Sequence, residues 1–170
     1  MINMNFYINA FNSNLETFEK LLNKIDKEQL ARKQYPQKWS LIEVICHLYD
    51  EEREDFRARL KLVLETPDKP FPTVNPQGWV TERNYTRQNF ETMLQMFIQE
   101  RKNSIGWLKY LDSPGWDNVH MHPKPGSISA KLILANWFAH DYLHIRQITK
   151  LKYDNLKKLS NENLSYAGDW

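Results

Sequence analysis

The residues of this sequence with the clearest capacity for chemistry are His140 and His144, in the stretch AHDYLHIRQI over 139–148. Two imidazoles four residues apart on a helix lie about one turn from each other on the same side. The series Ile133, Trp137, His140, His144, Ile148 and Leu151 advances in steps of three and four, the pattern of a buried helical stripe, so both rings stand where a core expects apolar residues. Neutral imidazoles placed there must find partners, and a divalent metal ion satisfies both at once. A single histidine on such a face is more often a hydrogen-bonded core residue; a pair at this spacing gives metal binding equal standing.

The other histidines are less decisive. His47 falls on an earlier helical segment, at the flank of its apolar stripe, beside an acidic face of Glu43, Asp50, Glu51 and Glu54. That position suits a site shared between neighbouring helices of a bundle, and equally a solvated surface histidine among carboxylates. His120 and His122 alternate, so on an extended segment both point the same way, to bind metal, to serve the mouth of a pocket, or simply to face water. Cys46 points away from His47 on the helical wheel and reads as a small buried packing residue. Asp141 is rotated off the histidine stripe by one residue's turn, which places it behind the ligands at most.

Four helical segments must position these groups. The first carries Leu15, Phe18, Leu21, Leu22 and Ile25, with Ser13 and Glu16 in capping-box spacing and Phe6 to Phe11 as a lead-in or an extension. The second opens at Ser40 and runs to about Leu64. The third carries Phe90, Leu94, Phe97, Ile105, Leu108 and Leu111, and nothing on it demands a chemical reading. The fourth starts near Ser127 or Ser129 and continues past Leu151 or restarts near Asn155. Between the second and third, TPDKPFPTVNPQGWVTER over 66–83 holds four prolines and no helical period; it reads as a long loop, with Phe71 and Trp79 lining a pocket or covering the core. A loop of that length can span a bundle and let the second and third helices run parallel. The segment 113–127 reads as a second loop, and Tyr166 and Trp170 as a tail packed onto the body.

Composition sets the bounds. The 170 residues, 41% hydrophobic and 13% aromatic, fit one domain over 1–170 with its own core. Basic and acidic residues, 23 and 21, are spread along the chain for a net charge of +2, which offers no basic stripe to nucleic acid. No apolar run approaches membrane-spanning length and the start lacks a signal-peptide pattern, so a cytoplasmic location is the default expectation.

WSLIEVICHLYDEE over 39–52 and WFAHDYLHIRQI over 137–148 together resemble the DinB-like family of bacterial four-helix-bundle proteins. The resemblance rests on Trp39 and Ser40 opening the second helix, on His47, Leu48, Asp50 and Glu52, on His140, His144 and Gln147, and on the turn HPKPGSIS over 122–129. It implies an all-α bundle of up-down-down-up topology, often dimeric, with a divalent metal held by His47, His140 and His144; zinc or nickel come first, then iron or manganese. It further implies kinship with metal-dependent hydrolases and with transferases of low-molecular-weight thiols. Three imidazole ligands leave a coordination position open, for a water that attacks an ester or amide or for a small thiol. Asp50 or Glu51 then becomes a candidate for orienting a ligand or moving a proton. Three functions of different class follow: a metal-dependent enzyme acting on a small molecule, a non-catalytic metal-binding stress-response protein, and a plain bundle working through protein contacts.

Overall fold

A computed structural model of the chain describes residues 2–112, 114–122 and 126–168. Four long rods form its body. The first is α1, Met4–Leu21; the second is α3, Leu41–Asp50, continued through a π-helical stretch, Glu51–Phe56, into α4, Arg57–Glu65. The third is α6, Phe90–Lys109, and the fourth is α7, Ala130–Ser160. At about 1.5 Å per residue α7 runs roughly 46 Å without a break, so the last helix neither stops at Leu151 nor restarts. Short helices α2, Lys27–Ala31, and α5, Pro76–Glu82, sit in the connections. A hairpin of β1, Val119–His122, and β2, Gly126–Ser129, pairs antiparallel with His120 opposite Ile128.

Side-chain contacts give the directions. Phe11 meets Trp137, Asn14 meets Asp141 and the Leu21 carbonyl meets Lys152, so α1 and α7 run together. His47 meets His144 whereas Glu52 meets Trp137, so the second rod opposes α7. Glu52 bonds Arg101 and Arg57 bonds Ser104, which makes the second rod parallel to α6. The order is up-down-down-up. Two parallel rods in succession need a return path as long as the bundle, and the segment 66–89 provides it, tied down where Arg83 bonds Asp50 and Glu54.

Local chemistry explains the boundaries. Ser40 and Glu43 form a reciprocal capping box at the start of α3, which removes Glu43 from the acidic face of that helix. The first helix is capped by Asn3, not Ser13, which lies mid-helix; the apolar lead-in is helix throughout. The proline-rich segment is not all loop, because Asn75 caps Gly78 and Pro76 occupies the first turn, where a missing N–H costs nothing. Tyr166 is fully exposed, so it does not pack onto the body, and Trp170 lies outside the described residues.

The apolar core is in two parts. One gathers Phe18, Leu41, Ile45, Leu48, Phe97 and Ile148; the other gathers Phe11, Leu60, Ile105, Leu108, Leu134 and Trp137. Between them on every rod stands a polar residue: Asn14, Glu52, Arg101 and Asp141, all buried. Arg101 is held by both oxygens of Glu52, at 2.9 Å each, and by both oxygens of Asp141, at 2.6 and 2.8 Å. Removing one member of such a network strands the others without solvent. Arg101→Met, which leaves two buried carboxylates facing each other, is expected to cost about 3–5 kcal/mol in urea unfolding; a loss below about 1 kcal/mol would show the network to be energetically idle.

Candidate metal centre

His140 and His144 project from successive turns of α7, and His47 reaches them from α3 across the antiparallel interface. The Nε2 atom of His140 lies 3.3 Å from Nε2 of His47 and 3.0 Å from Nε2 of His144. One ring nitrogen from each histidine falls within 4.8 Å of the others, a grouping found nowhere else among the described residues. Ligands about 2.0–2.1 Å from a shared ion, at angles between square and tetrahedral, stand about 2.9–3.4 Å apart. Both separations from His140 fall in that range.

The protonation of the cluster points the same way. Nδ1 of His144 faces Oε1 of Gln147 at 2.8 Å; an amide oxygen only accepts, so the proton resides on Nδ1 and Nε2 presents its lone pair to His140. A proton on Nε2 of His140 can serve one neighbour but not both, which leaves lone pairs facing each other across 3 Å. A cation satisfies every one of them. Nδ1 of His47 is buried with no hydrogen-bond partner among the described residues, so no carboxylate orients that ring. Trp39 stands against it instead, ring centroids 4.5 Å apart.

Each ring is held neutral, as a metal ligand must be. Burial, then the charge of His144, pushes His47 down to about 3. Burial, followed by His144, His47 and Arg101, takes His140 to about 2. Burial lowers His144 to about 4, with Gln147 and Asp141 opposing it.

The three histidines form the floor of an open cavity of about 560 Å³, walled by Trp39, Pro76, Gln77 and Leu143 and rimmed by Lys38, Arg146 and Lys150. This is ample for a small organic molecule. Asp50 and Glu51 are not among its walls. Asp50 accepts from the Tyr85 hydroxyl at 2.5 Å and pairs with Arg83 at 2.7 Å, facing a separate cavity of about 520 Å³ in which Arg53 and Glu54 are also paired with these groups. Glu51 is buried beside Asp55; burial first, then Asp55, raises its carboxyl to about 8. The structure therefore brings neither carboxylate to the histidines.

His120 and His122 also lie elsewhere. His120 stacks on Phe71 at 3.9 Å between centroids and sets Nδ1 2.8 Å from the carbonyl of Pro67, while His122 is 6.1 Å from the same ring. Phe71 lines another, smaller cavity, and Trp79 belongs to the core. From that proline-rich segment it is Pro76 and Gln77 that reach the histidine cavity. Sequence reasoning also missed Lys38 and Arg146 at its rim. The signal was adjacency, since Lys38 precedes Trp39 and Arg146 follows His144 by two.

An up-down-down-up bundle with three convergent histidines defines a helical-bundle protein with a candidate metal centre between its second and last rods. The chain belongs to the DinB superfamily, whose family model matches residues 10–148. No curated protein matches the sequence. Among solved structures it is similar to YfiT from Bacillus subtilis, described as a probable metal-dependent hydrolase with an unusual four-helix bundle topology. The TM-score is 0.79 at 16% identity, over 91% of this chain and 89% of that one, which establishes a shared fold.

The lowered histidine pKa values have a consequence for stability. A ring that stays neutral in the folded chain but takes up a proton below its ordinary value of 6.5 when unfolded stabilises the fold above pH 6.5 and loses that contribution as pH falls toward its folded value. Each such ring should contribute about 1.4 kcal/mol of lost stability per pH unit below that point. Urea unfolding in chelator between pH 7.5 and 5 should show a steeper decline for the native chain than for a His47→Gln, His140→Gln, His144→Gln variant. Parallel declines would mean that the rings titrate normally.

Proposed function

We propose that His47, His140 and His144 hold one divalent cation and that the chain is a metal-dependent hydrolase acting on a small molecule admitted through the cavity above them. The observation that carries this is the meeting of three neutral Nε2 atoms on the floor of a cavity open to solvent. An all-imidazole set suits zinc or nickel best, with iron and manganese next. A cation with three protein ligands and an open position supplies Lewis acidity, which activates water, or a thiol, toward an electrophilic carbon.

The chain's own residues supply the rest. Gln147 fixes the proton of His144 on the nitrogen turned away from the cluster. Asp141, bonded to Arg101, fixes the turn of α7 between the two ligands. Trp39 and Leu143 wall the space in which a substrate sits. Cys46 is excluded as a nucleophile: it is buried, and burial, then Asp50 and Glu43, pushes its thiol up to about 12. No thiol, hydroxyl or carboxylate among the described residues lines the cavity, so the attacking group comes from outside the chain. Transfer to a low-molecular-weight thiol is the second reading, favoured by a cavity far larger than a hydrolytic water needs. The description of YfiT supports the hydrolytic one.

Elemental analysis of the purified chain should find a divalent metal near one per protein, reduced in each of His47→Ala, His140→Ala and His144→Ala and at background in the triple variant. Hydrolysis of an ester and amide panel should vanish with chelator and return with metal. Metal at background in the native chain sinks the proposal; metal without turnover, with or without added thiol, leaves a binding protein in its place. Gln147→Leu, which removes the acceptor for His144 Nδ1, should weaken metal binding by about 10- to 100-fold. Gln147→Glu keeps an acceptor there and should retain most of the affinity.

A further inference from the structure

The rim of the histidine cavity has a charge of its own. Lys38 lies just before α3, and Arg146 and Lys150 lie on α7; all three line the cavity, and no carboxylate among the described residues does. Lys150 is paired with Asp154. Lys38 and Arg146 are exposed, and neither has an ion-pair or side-chain hydrogen-bond partner among the described residues. This contrasts with the cavity beside Asp50, where Arg53 and Arg83 are matched by Asp50 and Glu54. In a chain with only a small net positive charge, two unmatched cations at the mouth of one cavity are a local feature, not the spill of a basic surface.

We infer that the molecule taken by this cavity carries an anionic carboxylate or phosphate group, which Lys38 and Arg146 bind at the rim while its reactive part reaches the histidine floor. The inference rests on the metal-dependent reading of that floor. Arg146 contributes a planar fork that matches either oxyanion with two parallel N–H donors, and Lys38, in the segment leading into α3, a mobile point charge. Trp39 lines the same cavity and stands against His47, ring centroids 4.5 Å apart, which offers an aromatic face to a chain of carbons that reaches the histidines. Because the two cations come from different elements on the rim, a single anion held by both is oriented as well as attracted. A neutral substrate of the same shape lacks that hold.

The test uses the full chain, with and without bound metal, and three probes: succinate, inorganic phosphate and the uncharged succinamide. Calorimetric titration at low ionic strength should show saturable binding of succinate or phosphate, with succinamide bound far more weakly, and a Lys38→Glu, Arg146→Glu variant should weaken anion binding by about tenfold or more with unchanged metal content. The preference between succinate and phosphate tells which oxyanion the rim fits. Absence of saturable anion binding in the native chain overturns the inference, as does equal binding by the variant or equal binding of succinamide. Anion binding that survives in the rim variant but disappears in the triple histidine variant also overturns it, since the anion would then sit on the metal. Background metal in the native chain together with rim-dependent anion binding would instead defeat the metal reading and leave the anion site standing.

Discussion

The interaction on which the rest of the structure depends is the burial of the Arg101 guanidinium between the carboxylates of Glu52 and Asp141. A guanidinium cannot shed its charge, so its removal from water is tolerable only if its donors meet acceptors of opposite charge in good geometry. Here four charge-assisted bonds do so, and the Phe11 and Phe97 rings cover its faces at 4.8 and 5.4 Å. One positive charge between two negative ones leaves an excess of one negative charge. Trp137 donates its indole N–H to Glu52 and Asn14 its amide to Asp141, which spreads that excess over neutral donors. With these two, the network draws on all four rods, so it specifies how each is rotated about its own axis.

That rotation is what the histidines require. Asp141 lies between His140 and His144 in sequence, so the rotation of α7 that aims its carboxylate at Arg101 also sets the direction of both imidazoles. A single-residue slip of the helix, about 100° of rotation, would carry both imidazoles out of the cavity floor. An apolar layer at this level would pack about as well in several neighbouring rotations, since methyl groups have no directional partners. A carboxylate bonded through both oxygens to a guanidinium has one. The charges also act on the rings in opposite senses: Arg101 disfavours a proton at His140, and Asp141 favours one at His144.

The bundle and the histidine pair were legible in the sequence because both are written in period: apolar residues at steps of three and four, with imidazoles intruding on one stripe. The same signal was present for the polar layer and went unread. Arg101 falls four residues after Phe97 and four before Ile105, Glu52 four after Leu48, and Asp141 four after Trp137, each on a core position. A histidine on a stripe draws notice because its chemistry is familiar; an arginine there is easily taken for a long side chain snorkelling outward. His47 was harder, since its burial depends on α7 lying against that flank of α3, and pairing between distant segments leaves no mark in local period. The short helix α5 was hidden by proline content, although Asn75 followed by Pro76 is a helix start in miniature.

The arrangement divides its tasks by depth. Two apolar clusters supply the cohesion of the ends, the buried charges fix the alignment of the rods, the histidines form the floor of the open cavity, and the rim faces whatever arrives from solvent. Hydrophobic packing alone would make a sturdier bundle, because a buried ionic network stabilises less than well-packed side chains of equal volume. Its position accounts for its presence. On α7 it interleaves with the histidines, and on the second rod Glu52 lies five residues beyond His47, so the layer that is least favourable for stability is the one against which the three rings are aligned. Rigid rods held by directional contacts can keep ligands from distant segments within a few tenths of an ångström of a common point, which loops anchored at their ends alone cannot. The polar middle of this bundle is therefore best understood as the mounting of its histidine cluster, and the apolar ends as what makes that mounting energetically tolerable.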